Sequence, residues 1–306
     1  MSFPNDQLEN LSDPPCLFLT TGGKVQETQD QKASDNILET KQAGFKFGVT
    51  PSGFWLLGVF FLILVLIGYV WWPLLKAYIE TYNPDYPLWM QIDWLLIGVF
   101  LLMSFLLLIQ ADLRRDIPVF LIGLAGGLVI ESWGTQTELW TYYTFERPPL
   151  WIIPAWPIAS LSIDRLFRAL RQLASGIDSR VYRVLYWSIF SAFMALMIYF
   201  IWPTRFMSMT QAALLLCVFL VLTREDEQTA VLMFAAGAGL GYFLELWGTT
   251  RLCWTYYTRQ TPPLFAVLAH GMAAVAFWRV YALYLKFLPS FKRIGSRKSR
   301  LPVEQQ

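Results

Sequence analysis

Long apolar segments alternate with short polar ones along most of the chain. Eight of these segments, each about 16 to 22 residues long, are long enough as helices to cross the hydrocarbon core of a bilayer. The predicted helices cover residues 54–72, 89–109, 117–135, 150–170, 184–202, 207–222, 229–249 and 264–285. The pattern predicts an all-α polytopic membrane protein with eight transmembrane helices.

Polar segments flank this region. Residues 1–50 are rich in Asp, Glu, Gln, Lys and Ser and lack the basic start and short apolar core of a secretory signal. We predict a disordered tail there, with a partner-binding segment that folds on contact as the alternative. Residues 289–306 are predicted to form a basic tail, and the membrane region divides into two units, 51–172 and 173–288.

The two units are predicted because one stretch of sequence occurs twice. Residues 131–150 align without a gap to residues 245–264, and 12 of the 20 positions are identical. Trp72-Pro73 and Trp202-Pro203 each end the first helix of a unit. Because each unit has four helices, an even number, both have the same orientation. The chain is therefore predicted to form two parallel four-helix repeats related by an axis along the membrane normal.

Composition and charge agree with a membrane protein. The chain is 56% hydrophobic and 15% charged, and it has no basic block that would indicate a nucleic-acid partner. Three unevenly spaced cysteines indicate neither a disulfide framework nor a metal site.

Only five of the 24 Lys and Arg residues fall on one set of connections: Lys76, Arg147, Arg205, Arg251 and Arg259. The other set, which includes both termini, is therefore predicted to be cytoplasmic. At this inner boundary Arg165 and Arg279 are expected to reach lipid phosphates.

Each repeat places one glutamate on a helix face made of small residues. Residues four apart share a face, and the two sets are Gly123, Gly127, Glu131 and Thr135, and Gly237, Gly241, Glu245 and Thr249. Glycines at this spacing let another helix approach, so both glutamates are expected to face protein near the outer boundary. Burial disfavours a charged carboxylate, which would make each Glu a neutral hydrogen-bond donor or a proton donor and acceptor. The alternative is that each Glu only ties its helix to the following loop.

Aromatic residues follow each glutamate at fixed spacing. An aromatic belt at the interface explains the residue types but not the spacing, whereas a loop folded over the helix ends as the wall of a pocket explains both. The predicted substrate-binding residues are Trp133, Thr135, Trp140, Tyr142, Tyr143 and Trp156 in the first repeat, and Trp247, Thr249, Trp254, Tyr256 and Tyr257 in the second.

His270, the only histidine in the chain, stands where the first repeat has Trp156. Its position in the returning helix is near the depth of Glu245, and a carboxylate with an imidazole can relay a proton or share a ligand. A hydrogen-bonded packing role is the alternative. Glu131, Glu245 and His270 are the predicted catalytic residues. A metal held by these three is a weaker hypothesis, because no recognised ligand spacing supports it. We predict no metal site, and the sequence indicates no particular cofactor.

The segment from Glu131 to Tyr143 has a membrane-embedded Glu, then Gly, then a Tyr-rich outer turn. In this it resembles the polytopic carotenoid hydratases and cyclases. The likeness covers fewer than twenty residues in each repeat and does not assign the chain to that family. It implies acid-assisted chemistry on an isoprenoid.

These patterns favour a membrane protein with an outer-leaflet pocket that binds or chemically modifies a lipid-like substrate through buried glutamates. Two other functions stay open. A transporter for a small or apolar solute is one, because parallel repeats occur in rocking carriers. An accessory subunit of a membrane complex is the other. The sequence names no substrate and does not decide whether the protein is an enzyme.

Overall fold

A computed structural model describes the backbone of residues 48–298 and the side chains of residues 48–287. Nearly all of the predicted N-terminal tail lies outside the described residues, as does the end of the predicted basic tail, 299–306. The described part contains nine α-helices and two short strands. They are α1 Pro51–Val70, α2 Trp72–Glu80, α3 Trp94–Leu108, α4 Leu113–Gln136, β1 Trp140–Tyr142, α5 Ala155–Leu173, α6 Ser179–Phe200, α7 Ser208–Leu222, α8 Glu227–Thr250, β2 Trp254–Tyr256 and α9 Leu264–Lys298.

Five of these helices are long and apolar enough to cross a bilayer. They are α1, α4, α6, α8 and residues Leu264–Phe287 of α9. Helices α3 and α7 are apolar but have only 15 residues each. Helix α5 has 19 residues, yet polar residues such as Ser160, Ser162 and Asp164 interrupt its apolar sequence. The chain is thus a mostly helical, multi-pass membrane protein.

Helix boundaries differ from the predicted ones where the sequence carries capping or turn signals. Asp93 does not lie within a helix but caps α3, because its carboxylate accepts a hydrogen bond from the Leu96 amide at 3.2 Å. Helix α5 begins at Ala155 rather than Leu150, because residues 151–154 form turns. The short helix α2 was not predicted. Helix α9 continues into the segment that the sequence assigned to the basic tail.

The glycine faces of α4 and α8 determine how the core packs. Helix α4 lies against α5, α8 lies against α9, and α5 also packs on α8. A Cβ on Gly127 would lie 2.3 Å from the Trp156 ring, and a Cβ on Gly241 would lie 2.5 Å from the His270 side chain. Only glycine leaves room for these two side chains.

A network of buried ions joins α4 to α5 at the end remote from the glutamates. Arg165 and Asp116 are almost fully buried and lie 2.6 Å apart. Asp164 accepts hydrogen bonds from Arg115 at 3.0 Å and Arg165 at 3.2 Å, and it also pairs with Arg168. The prediction that Arg165 reaches lipid phosphates is therefore wrong, because its guanidinium is enclosed by protein carboxylates.

Candidate functional site

Glu131 on α4 is held by three hydrogen-bond donors. Its Oε2 accepts from the Trp140 indole at 3.0 Å, and its Oε1 accepts from the Tyr142 hydroxyl at 2.9 Å and the Trp156 indole at 3.1 Å. The carboxyl group is buried, with 4% of the residue exposed. These four residues, called the Glu131 cage below, satisfy both carboxylate oxygens with donors from β1 and α5.

Glu245 on α8 has the same surroundings with one exchange. Its Oε2 accepts from the Trp254 indole at 2.9 Å, and its Oε1 accepts from the Tyr256 hydroxyl at 2.9 Å. His270 Nε2 lies 3.0 Å from Oε1, in the place that the Trp156 indole takes in the Glu131 cage. Glu245, Trp254, Tyr256 and His270 form the Glu245 cage, and its glutamate is equally buried.

The phenol of each cage is kept in its donor form. Burial, with the charge of Glu131 beside it, holds the pKa of Tyr142 well above its ordinary value. Burial and Glu245 have the same effect on the pKa of Tyr256. Both hydroxyls therefore stay protonated at neutral pH and donate to the carboxylates.

The Trp-Gly-Thr sequence explains how each aromatic loop returns to its glutamate. A Cβ on Gly134 would lie 1.8 Å from the Trp140 ring, and one on Gly248 would lie 2.0 Å from the Trp254 ring. Glycine thus allows each indole to lie directly over the last turn of its helix. The chain then leaves the helix through a residue with positive φ, Glu138 at 59° and Leu252 at 56°.

The two loops meet in a short antiparallel sheet. Trp140 of β1 pairs with Tyr256 of β2, and Tyr142 pairs with Trp254. Each tryptophan of one cage is thereby placed beside the tyrosine of the other, at ring distances of 5.7 Å and 5.8 Å. The sheet joins the two cages at the loop end of the site.

Trp156 and His270 also meet between the cages. Their rings stack with centroids 5.5 Å apart and planes 18° apart. Phe277 packs edge-on against Trp156 and lies over Gly126, where a Cβ would be 2.0 Å from its ring. Phe277 was not among the predicted site residues, although it lies seven residues after His270 and so on the same helix face.

Both glutamates line a single cavity of about 840 Å³. This volume is within the range of about 300–1,000 Å³ that is typical of ligand sites. Its wall is largely apolar, and the predicted site residues that line it are Glu131, Trp133, Trp140, Tyr142, Trp156, Glu245, Trp247, Trp254, Tyr256 and His270. The structure therefore brings all three predicted catalytic residues to one chamber.

Four predicted site residues lie elsewhere. The Thr135 and Thr249 hydroxyls bond to the backbone of Glu131 and Glu245 one turn earlier, each at 2.6 Å. The Tyr257 hydroxyl donates to the Phe200 carbonyl at 2.7 Å, and Tyr143 does the same to Val70. The tyrosines tie the loops to the ends of α6 and α1. None of the four lines the cavity.

The indoles of Trp133 and Trp247 reach across to the other half of the molecule. Trp133 donates to the Thr210 hydroxyl at 3.2 Å, and Trp247 donates to Asp93 at 2.9 Å. Arg251 also pairs with Asp93 at 2.9 Å. In the sequence, Asp93 is aligned with Met207, so the two crossing contacts use different chemistry.

No group of three or more His, Cys, Asp or Glu within the described residues is placed to hold a metal ion. Comparison of the chain with protein-family models, with curated proteins and with solved structures found no match.

Proposed function

We propose that the protein is a bundle of eight transmembrane helices, built as two parallel four-helix repeats, that binds or chemically modifies a lipid-like substrate between the repeats. The observation that carries this proposal is the shared cavity. Two buried carboxylates, from matching positions of the two halves, line one largely apolar chamber. The unequal distribution of Lys and Arg supports an orientation with the cages toward the outer face and both termini in the cytoplasm.

Helices α3, α5 and α7 are too short or too polar to count as membrane spans by themselves. Their packing is nevertheless consistent with this arrangement. Helix α5 packs against α3, α4 and α8, so its polar residues face protein rather than lipid. Helices α3 and α7 rise only about 22 Å each, at 1.5 Å per residue. Each is preceded by a single 3-10 turn, Leu88–Met90 and Trp202–Thr204, that lengthens the structured segment.

The cages favour a ligand with an apolar body and a hydrogen-bond donor or developing positive charge at one end. An ionised carboxylate has about four acceptor positions. The protein fills three on Glu131, and three on Glu245 when His270 Nε2 carries a proton. One position on each remains for a ligand hydroxyl. Aromatic faces around two carboxylates also stabilise positive charge, which is what acid-assisted chemistry on an isoprenoid generates.

The two cages have different roles in this proposal. An indole N–H can only donate a hydrogen bond, so Trp156 always requires an acceptor oxygen of Glu131 as its partner. The imidazole of His270 can offer Glu245 either an N–H donor or an acceptor nitrogen, so His270 and Glu245 form the acid/base pair. Glu131 is the polar anchor of the ligand.

Lipid extraction and mass spectrometry of the protein purified in mild detergent test the proposal. We expect a defined lipid-like compound, and we expect Glu245→Gln to reduce its turnover by at least about 100-fold. Normal turnover in a normally expressed Glu131→Gln, Glu245→Gln double variant would contradict the proposal.

A carrier is the second candidate, because a cavity between parallel repeats is also the site of rocking transporters. Flux measurements in reconstituted vesicles separate the two functions. A ligand that crosses the bilayer unchanged selects the carrier, and stable copurification with a larger complex selects an accessory subunit.

A further inference from the structure

The cavity opens toward the outside of the bundle on one side. Among the described residues that line it, every exposed one belongs to α4, α7 or α9. These rim residues are Leu121, Ala125 and Val129 on α4, Met209, Ala212 and Leu216 on α7, and Val280 on α9. The lining residues on α1, α3, α5, α6 and α8 are buried or half-buried. The opening is therefore a slit between three helices rather than a pore at one end.

The slit exists because α7 does not pack as α3 does. In the first half α3 lies along α5 and buries Val99, Met103, Leu106 and Leu107. The matching helix α7 makes little direct contact with α9, and its buried residues are near its two ends: Thr210, Leu220 and Val221.

Side-chain size accounts for the difference. The aligned position for Val99 is Ala213, and the one for Met103 is Cys217, so the face of α7 toward the cavity is smaller. Fewer atoms are available there to fill the space against α9, and the gap remains open.

We propose that this slit is a lateral portal through which a long-chain amphiphile enters the cavity from the bilayer. The inference rests on the proposed function and names the route and the class of ligand. Every rim residue is apolar, so a hydrated solute would lose water there without compensation. The hydrocarbon chain of a membrane amphiphile loses none, because it is already in an apolar environment.

The portal also leads to the carboxylates. Val129 on the rim lies two residues before Glu131, which is about 3 Å along the helix axis. Gly126 lies between rim residues on α4, and the Phe277 ring occupies the space that a side chain would take there. An amphiphile in the slit therefore has its polar end beside the cages while its hydrocarbon tail points back toward lipid.

Photocrosslinking of the full chain in phosphatidylcholine vesicles tests the portal. The probe is a long-chain alcohol with a photoreactive diazirine, illuminated briefly after mixing, and peptide mass spectrometry measures adducts near the buried residues Ile158 and Ala159 of the cavity wall. Ala213→Trp, which fills the slit, is expected to lower these adducts about tenfold. The matched control is Leu215→Trp on the same helix, where the side chain is 68% exposed and lines no part of the cavity. It should leave the yield within about twofold.

The outcomes separate the portal from the proposed function. Absence of cavity adducts in the wild-type protein overturns the proposed function itself. Wild-type adducts that persist in Ala213→Trp overturn the portal alone. Ala212→Trp, on the exposed rim, gives the same test if Ala213→Trp does not fold, and thermal unfolding of each variant shows which one to use.

Discussion

The Glu131 and Glu245 cages have closely similar hydrogen-bond geometry. They differ in the third partner of the glutamate, where acid/base chemistry would be expected. Each glutamate accepts from one tryptophan and one tyrosine in matching geometry. The third partner is an indole in one cage and an imidazole in the other. Since both rings fit against a glycine of the neighbouring helix, the exchange leaves the packing intact. The same frame thus occurs twice, each time around one carboxylate, and only Glu245 has an imidazole partner.

The remote ends of the two halves differ in a related way. The first half closes this end with the buried pair Asp116 and Arg165. The second half has Ala230 at the position of Asp116, and Arg279 at the position of Arg165 bonds to Thr223 in a more exposed setting. Together with the open packing of α7, this means that the helices of the first half are joined more tightly than those of the second. The second half bears the histidine and the slit.

Exchanging the distinguishing residues should have the largest effect. His270→Trp makes the second cage equal to the first, and we expect turnover of the copurified ligand to fall by about 10²–10⁴-fold because the acid/base partner is lost. Trp156→His is the matched control and should retain most of the activity. Equal loss in both variants would show that the two cages do not differ in function.

Breaking the buried ion network should have the next largest effect. Asp116→Ala leaves Arg165 short of a partner in a buried site, and we expect the free energy of unfolding to fall by about 3–5 kcal/mol. Arg279→Ala, at the matching place in the second half, should cost less than about 1.5 kcal/mol. Titration with SDS, followed by far-UV circular dichroism, measures both. Similar losses would remove the distinction between the two ends.

The glycines in the last turns of α4 and α8 should show that the two cages are built alike. Gly134→Ala and Gly248→Ala each place a methyl group where an indole ring already lies. We therefore expect both to lower the free energy of unfolding by about 1–3 kcal/mol. Gly239→Ala is the control, because nothing lies within 4 Å of its added Cβ. It should be neutral or stabilise α8 by about 0.5–1 kcal/mol. A large loss of stability in only one of Gly134→Ala and Gly248→Ala would contradict the idea that the two cages are built alike.

The contact of Asp93 with the second half should give the smallest effect, visible in acid. Burial raises the pKa of Asp93, but hydrogen bonds from Arg251, the Leu96 amide and Trp247 together hold it below the ordinary value of 3.8. A lowered folded pKa means that ionised Asp93 stabilises the fold fully above that ordinary value and loses this contribution as pH falls through the lowered one. Asp93→Asn should flatten the fall in SDS resistance as pH drops below about 4. An unchanged slope would exclude this linkage.

The helical, multi-pass character of the protein could be predicted from its apolar segments, and matched spacing singled out Glu131, Trp140 and Tyr142. Their neighbour Tyr143 was harder to assign. Tyr143 directly follows β1, and successive residues of an extended backbone point to opposite faces. Tyr142 and Tyr143 therefore do not both reach the cavity, a consequence of strand alternation that the matched spacing did not reveal. Thr135 shares the face of Glu131, but its hydroxyl serves its own helix backbone.

Other features depend on partners that are distant in sequence. Arg165 pairs with Asp116, 49 residues away, and nothing local distinguishes it from an arginine at the lipid surface. The slit depends on how far α7 lies from α9, which reflects packing across the whole second half. The smaller side chains at Ala213 and Cys217 were visible in the alignment of the repeats, but their consequence was not.

The central claim is that two carboxylates face one protein-lined cavity that holds a membrane amphiphile. An experimental structure by electron cryo-microscopy in lipid nanodiscs tests it most directly. We predict elongated density that enters between α4, α7 and α9 and ends within hydrogen-bonding distance of Glu131 or Glu245. Carboxylates directed at the surrounding lipid, or a chamber filled by the protein's own side chains, would contradict it.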